Sequence, residues 1–375
     1  MQNNVTDSSL PTRSVGLLAS EACTRGGIQS FMLRIAEVIG TLQNKRRICG
    51  GICLSLNDST DELRRHPAIP GSIEVWGGNR SKPSLVAHAL ISAPKVDVLF
   101  VGHLALAPVA YALKTLGRVN AYYVILHGIE AWRKVPFINR LALKAATRII
   151  ATTRHTADVC AQLNEIRQSL FRIIPLCADE RLGTPSTAFK LSGAVKLLCV
   201  ARQDKSERYK GFEDIFKALR VLKPANASIH LNLIGSGGDQ PRLKQVCADL
   251  GVADQVTFWG SLSDEDLAAA YHDCDIFVMP SKKEGFGIVF LEAMGQGKPC
   301  IGGNHGGTPD VIVHGESGLL VEYGDVPMLA EYIRKLADDA ALRQKMGRKG
   351  RDLIEGKFSI RNFELAYEHC VFEAL

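Results

Sequence analysis

Residues 277–296 read FVMPSKKEGFGIVFLEAMGQ, and the reading of this stretch decides the fold. An apolar run, Phe277 to Met279, gives way to a polar loop carrying Glu284, a Gly285-Phe286-Gly287 turn, and a helix-forming segment that holds Glu292. Buried strand, loop and helix in that order are the unit from which parallel sheets are built. With a helix starting near Gly287, the amides of Gly287, Ile288 and Val289 lack intrahelical acceptors and make an anion site, which the macrodipole strengthens. Glu292 then lies about five residues in, ~7 Å along the axis. A carboxylate so placed suits ribose hydroxyls, with a diphosphate at the helix tip and Glu284 facing a sugar beyond it. Two glutamates at this spacing, taken alone, are more simply a loop acid and a solvent-facing helix acid.

Working outward, the same rhythm fills the chain. Apolar runs rich in Val, Ile and Leu recur at Val15–Ala19, Val96–Val101, Tyr122–Leu126, Arg148–Thr152 and Phe171–Pro175. A second series follows at Lys196–Ala201, Ile229–Ile234, Val256–Trp259, Asp275–Met279 and Pro299–Gly302. Between the series, Ala178 to Gly193 has the Asp, Glu, Gly, Pro, Ser and Thr composition of a linker. Two doubly wound sheets in tandem are expected, and 375 residues suit two cores better than one. Ligands of such sheets bind at the carboxyl ends of strands, so the loops after these runs are where chemistry belongs.

Composition narrows the class. Hydrophobic content of 46% and charged content of 22% are those of a globular protein, with Met1 to Arg13 as a polar, frayed tail. The sequence has no run near the roughly 20 apolar residues of a membrane span and no signal-peptide pattern, so a cytoplasmic protein is expected. A net charge of +6 argues against a dedicated nucleic-acid binder and permits an anionic ligand or membrane surface. The ten cysteines are scattered without a CxxC pair and read as small buried hydrophobes.

Three further elements carry chemistry. Leu198 to Gly211 reads LCVARQDKSERYKG, a strand and a cationic loop; cations beside a departing nucleoside diphosphate favour its transition state. Leu233 to Gly238 reads LIGSGG, a turn that brings Gly235 and Ser236 to the base or phosphate side of a pocket, although tight turns need such glycines too. Asp273-Cys274-Asp275 fits a DxD pattern but opens an apolar strand, where edge acids are the plainer account, and no metal is expected.

The segment EGFGIVFLEAMGQGKP, with HGGTPDVIVHGESGLLVEYGD after it, resembles the retaining glycosyltransferases of family 4, whose element has the form EGFGxxxLEAMxxGxP followed by GGxPEvIxxGxxGxLv. The resemblance covers most of Lys196 to Met346; Asp310 stands where glutamate is commoner. It implies a GT-B fold of two Rossmann-like domains facing a central cleft. Residues 1–183, completed by a helix at about 358–375, would form the acceptor domain, and 184–357 the donor domain. It implies a hexosyltransferase working on a nucleotide sugar, GDP-mannose and UDP-glucose types both fitting. The donor is a substrate, so no cofactor is implied. Glu284, Arg202 and Lys210 would be catalytic, with Arg208 a weaker substitute for the cations. Glu292, Gly285, Phe286, Gly287, Ile288, Val289, Gly235 and Ser236 would bind the donor. The anomeric configuration would be retained by front-face departure of the nucleotide.

In the N-terminal half, CTRGGIQS at Cys23–Ser30 follows the first strand; the resemblance implies a Gly-Gly loop here near the donor phosphate and acceptor, with Gly26 and Gly27 facing the cleft, and an ordinary βα turn explains these glycines nearly as well. His127 ends the run YYVILHGIE; the resemblance implies that it positions the transferred sugar, with His103 a second candidate. Residues 131–148 (AWRKVPFINRLALKAATR) interleave Arg133, Lys134, Arg140, Lys144 and Arg148 with Trp132, Phe137 and Leu141 and contain no acid. Such a segment either docks on the cytoplasmic face of an anionic membrane or is a core helix with a basic face. Family members with lipid-linked acceptors favour the first, which points to a glycan or lipid-linked oligosaccharide acceptor in surface or exopolysaccharide synthesis. Three other readings compete: a nucleotide-sugar epimerase on the same architecture, an NAD-dependent oxidoreductase, and a binding protein without turnover. The oxidoreductase lacks its G-x-G-x-x-G after the first strand.

Overall fold

The computed structural model describes residues 13–24, 26–178, 188–224 and 228–373. The expected frayed tail, Arg13 apart, and most of the expected linker lie outside these residues. The chain forms two compact units, Met1–Ile174 with Phe363–Leu375, and Pro175–Asn362.

The first unit is a seven-stranded, wholly parallel sheet in the order β3-β2-β1-β4-β5-β6-β7. Its strands are β1 Arg13–Ala19, β2 Ile48–Ser55, β3 Glu74–Gly77, β4 Val96–Val101, β5 Val119–Leu126, β6 Arg148–Ala151 and β7 Phe171–Ile173. Both faces of a parallel sheet are covered, which is why β5 reads as an unbroken apolar run from Tyr122 to Leu126, all fully buried. The helix Gly27–Asn44 buries Phe31, Met32, Ile35, Ala36, Val38, Ile39 and Leu42, a stripe at helical spacing. Apart from Ala36, each such side chain contributes about 1.5–3 kcal/mol on burial.

The second unit is a six-stranded parallel sheet in the order β10-β9-β8-β11-β12-β13. Its strands are β8 Val195–Val200, β9 Ile229–Ile234, β10 Val256–Gly260, β11 Ile276–Met279, β12 Cys300–Gly303 and β13 Gly318–Val321. The helix Phe212–Leu222 buries Phe212, Ile215, Phe216, Leu219 and Leu222, and truncating Phe216, fully enclosed, to Ala would cost about 3–5 kcal/mol. In both sheets the strand order reverses once, between β1 and β4 and between β8 and β11, and crevices at strand carboxyl ends open at such reversals.

The chain leaves the first unit after Ile174, nine residues before the boundary expected at 183. Ile174 still donates to Ala151 of β6, whereas Ala178 donates to Phe358 of the second unit. The final helix, Ile360–Glu373, returns to the first unit. Tyr123 on β5 donates to the Cys370 carbonyl at 2.8 Å, and Phe31 meets Phe363 and Tyr367 edge to face. Phe358 packs instead on Phe286. Eight cysteines are buried, as read; Cys49 is exposed and Cys23 half-buried, because β2 presents Cys49 near its open start. Among the described residues no helix is long and apolar enough to cross a membrane.

Candidate functional site

In the second unit, the loops after β8 and β11 flank the point where the strand order reverses. The β8 loop carries Arg202 and Lys210, and the β11 loop carries Glu284. Backbone bonds tie the two loops together. The Lys282 amide donates to the Tyr209 carbonyl at 2.8 Å, and the Gly307 amide, in the loop after β12, donates to the Glu284 carbonyl at 2.7 Å. Side chains follow: Lys210 Nζ donates to Glu284 Oε2 at 2.8 Å, with the two side chains 13% and 15% exposed. Burial pulls the Lys210 pKa down, but the Glu284 carboxylate more than offsets it, so the ammonium's pKa is raised and it stays charged. Tyr209 lies beside the pair, with Lys210 Nζ 5.6 Å from its ring centre; burial raises its hydroxyl pKa.

The helix begins at Ile288, one residue later than the reading near Gly287, because Gly287 is the cap residue in the left-handed region with φ 86°. Any Cβ there would sit 2.5 Å from the Phe290 ring, so glycine is required on two counts. No side chain caps this end, and the first-turn amides of Ile288 and Val289 point along the axis as an anion site requires. Glu292, half-buried one turn further, accepts from the buried Tyr271 hydroxyl at 2.6 Å. Burial, then the Glu292 charge, holds that hydroxyl neutral well above its ordinary range, so it orients the carboxylate as a fixed donor. The Phe286 ring is buried against Phe358 at 5.9 Å.

Gly235, at φ 120°, brings the GSGG turn so close that a Cβ would fall 2.1 Å from the Ala201 carbonyl. Gln203, buried in the cationic loop, locks the contact: its amide donates to the Ser236 carbonyl at 3.0 Å and its side chain to the Gly235 carbonyl at 2.9 Å. Ser236 is exposed and shares a hydrogen bond with Ser261. Arg208 is committed elsewhere, donating twice to Asp239 at 3.2 and 2.9 Å, while Arg242 bridges Asp239 and Glu213. The arginine bonds, chiefly from Arg242, lower the Asp239 pKa to about 2 against the cost of burial. Neither Gln203 nor Asp239 stood out in the sequence; the arginine three positions after Asp239 was the available signal.

The DxD acids sit at the opposite, amino end of β11. Asp273 accepts from Lys196 and from the Leu191 amide, and Asp275 accepts from the Lys196 amide at 2.8 Å. They staple strand ends. Among the described residues no group of three or more His, Cys, Asp or Glu has the arrangement of a metal site.

In the first unit, Gly26 and Gly27 follow β1, His103 follows β4 and His127 follows β5. Gly26 is extended and caps the exposed start of the helix Gly27–Asn44, so its conformation is open to any residue. Asp58, buried, accepts from the Ala22 amide at 2.7 Å and the Cys23 amide at 3.2 Å, fixing the start of this glycine loop. His127 Nε2 donates to the Gly102 carbonyl at 2.8 Å, and burial lowers the ring's pKa. The neutral imidazole keeps Nδ1 as its acceptor. His103 Nδ1 accepts from the Ala105 amide at 3.1 Å and serves as a local cap. In the basic segment, Trp132 turns inward, donating to Thr156 and edging on His155. Phe137 and Ile138, 71% and 46% exposed, are the apolar residues that face out, beside exposed Arg133, Lys134 and Lys144.

Comparison with known proteins identifies the family and the fold. The family model for glycosyl transferases group 1 matches residues 192–353. A mannosyltransferase of Corynebacterium glutamicum, the GDP-mannose-dependent monoacylated alpha-(1-6)-phosphatidylinositol monomannoside mannosyltransferase, is 30% identical over 89% of this chain and 91% of its own. HepE of Anabaena, solved in complex with UDP-glucose, superposes with a TM-score of 0.76 at 20% identity, over 96% of this chain and 99% of that one. A glycosyltransferase of Rickettsia africae superposes at 0.79 and 18% identity, over 97% and 99%. The fold is GT-B. Fold and relatives together define a glycosyltransferase that depends on a nucleotide sugar and transfers a hexosyl group to a sugar or lipid acceptor. The chain belongs to the glycosyl transferases group 1.

Proposed function

We propose that this enzyme is a retaining family 4 hexosyltransferase that moves mannose or glucose from a GDP- or UDP-linked donor to a glycan or lipid-linked oligosaccharide in surface polysaccharide synthesis. The observation that carries the reading is the meeting of Lys210 and Glu284 at 2.8 Å between the two loops that flank the strand reversal, with Glu292 oriented one turn along the adjoining helix. In this reading the second unit holds the donor: Arg202 and Lys210 face the diphosphate, together with the Ile288 and Val289 amides, and Glu292 holds the ribose. Glu284 faces the sugar. The bond from the anomeric carbon to phosphate breaks as the acceptor oxygen bonds to the same face of that carbon. The acceptor proton passes to the departing phosphate, whose growing charge the cations and amides stabilise.

The first unit takes the acceptor, with His127 Nδ1 accepting from a sugar hydroxyl. Phe137 and Ile138 insert at an anionic lipid surface while Arg133, Lys134 and Lys144 meet headgroups, each cation contributing about 1 kcal/mol. The relative from Corynebacterium glutamicum, whose name gives a GDP-mannose donor and a phosphatidylinositol mannoside acceptor, supports this choice of substrates. The test is a screen of UDP, GDP and their sugars by thermal shift, followed by assay of nucleotide release with and without extracted lipid-linked acceptors. Release that depends on acceptor is expected. An epimerised sugar nucleotide left intact would overturn the reading.

A further inference from the structure

The cations of the β8 loop are held in two different ways. Arg208 is fixed by two bonds to the buried carboxylate of Asp239, which Arg242 also grips. Arg202 is 76% exposed at its side chain, and among the described residues its ion pair is with Glu207, a residue that is itself 9% exposed. Glu207 is rooted in the loop by its amide, which donates to the Asp204 carbonyl at 2.9 Å, and the short helical turn Lys205–Lys210 is broken at this residue, with φ −113° and ψ 23°. Its carboxylate is near enough to Lys210 and to the Tyr209 hydroxyl to act on both electrostatically, as does Glu284. Two cations and two carboxylates therefore close on one tyrosine, and their formal charges cancel.

We propose that Glu207 is an affinity-determining residue that competes with the donor's diphosphate for the Arg202 guanidinium, and so sets how readily the nucleoside diphosphate product leaves. This rests on the donor site proposed above. A diphosphate needs Arg202 at a strong, charge-assisted bond, and the exposed guanidinium has the freedom to swing between the buried carboxylate and a phosphate oxygen. The carboxylate is the fixed partner and the arginine the moving one. Arg208, locked on Asp239, does not share this freedom. Exchange of one ion pair for another keeps the cost of releasing product low: the Arg202 contact broken to phosphate is matched by one re-formed to Glu207. An exposed pair of this kind is worth up to about 1 kcal/mol, or about fivefold in affinity.

The experiment is a four-protein cycle of wild type, Glu207→Gln, Arg202→Gln and the double variant, with UDP and GDP titrated by calorimetry and product inhibition constants measured alongside. Glu207→Gln is expected to bind the nucleotide about fivefold more tightly, with a product inhibition constant lower by the same factor. Damage to the loop alone would loosen binding instead. In the Arg202→Gln background the added Glu207→Gln change is expected to have no effect. If Glu207→Gln does not fold, Glu207→Asp, which keeps the charge but shortens its reach, is expected to tighten binding in the same direction. Unchanged or weaker binding by the Glu207 variants, while Arg202→Gln loses affinity, overturns this proposal and leaves the donor site standing. An equal gain in the Arg202→Gln background also overturns it. Wild-type affinity in Arg202→Gln, or no binding of UDP or GDP by wild type, overturns the donor site and this proposal together.

Discussion

Replacing Glu284 by Gln removes a negative charge 2.8 Å from the Lys210 ammonium, where the side chains are 15% and 13% exposed. At that separation and an effective dielectric of 20 their attraction is about 6 kcal/mol, against which stands the dehydration of two ions at several kcal/mol each. The intact pair is therefore worth little net, yet removing one member strands the other. Glu284→Gln should destabilise the second unit by about 3 kcal/mol, toward the low end because the amide still accepts a hydrogen bond. Lys210→Met should cost a similar amount by stranding the carboxylate. The double variant Lys210→Met/Glu284→Gln leaves no buried charge of the pair behind and should lose less than the sum, with a coupling of at least about 2 kcal/mol. Denaturant unfolding of the four proteins at pH 7 measures this. Because the folded-state pKa of Lys210 is raised, the pair's contribution is fully present below the unfolded value of 10.5 and fades as pH rises through the higher folded value. Single costs that add to within about 0.5 kcal/mol would refute the contact.

Four other outcomes follow from particular residues. Gly287→Ala must place a Cβ 2.5 Å from the Phe290 ring at φ 86°, and should cost about 1–3 kcal/mol of stability and most of the transfer activity, checked by thermal shift and rate together. Asp239→Asn should remove about 1–2 kcal/mol at pH 7; since its folded pKa is lowered to about 2, the wild type keeps this stability above the unfolded value of 3.8 and loses it as pH falls toward 2, so the difference between wild type and variant should shrink over that window. His127 is held neutral by burial while the unfolded imidazole takes up a proton, so wild-type stability should fall as pH drops below 6.5, and His127→Asn should flatten that slope in pH-dependent unfolding. Phe137→Ser/Ile138→Ser should reduce sedimentation with anionic vesicles by about tenfold or more while leaving transfer to a soluble acceptor unchanged.

Much of the fold was legible because parallel strands buried on both faces are continuous apolar runs, and ten of the thirteen announced themselves that way. The other three did not for local reasons. β2 reads ICGGICLS, its apolar signal diluted by paired glycines; β3 is four residues at a sheet edge; and β13 is the short GLLV behind a turn. In the candidate site, Glu284, Glu292, Arg202 and Lys210 were singled out by position after strands and by resemblance. What sequence could not show was which partners they take. Arg208 and Arg202 look alike in SERYKG and its approach, but Arg208 is held twice by a carboxylate thirty-one positions away, while Arg202 stays largely exposed and pairs with Glu207. Tyr271 is an unremarked residue in DEDLAAAYHD until the helix that carries it packs its hydroxyl on Glu292. Phe286 illustrates the converse: nothing in the motif announces that its ring is buried against Phe358.

The measurement that bears most directly on the donor site is the initial rate of sugar transfer by Glu284→Ala beside the nucleoside diphosphate affinity of the same protein. The Lys210 and Arg202 cations and the helix amides remain in that variant, so affinity should stay within a few-fold of wild type while the rate falls by about 10²–10³. A Glu284→Ala enzyme that binds the nucleotide and transfers sugar at the wild-type rate would contradict the account.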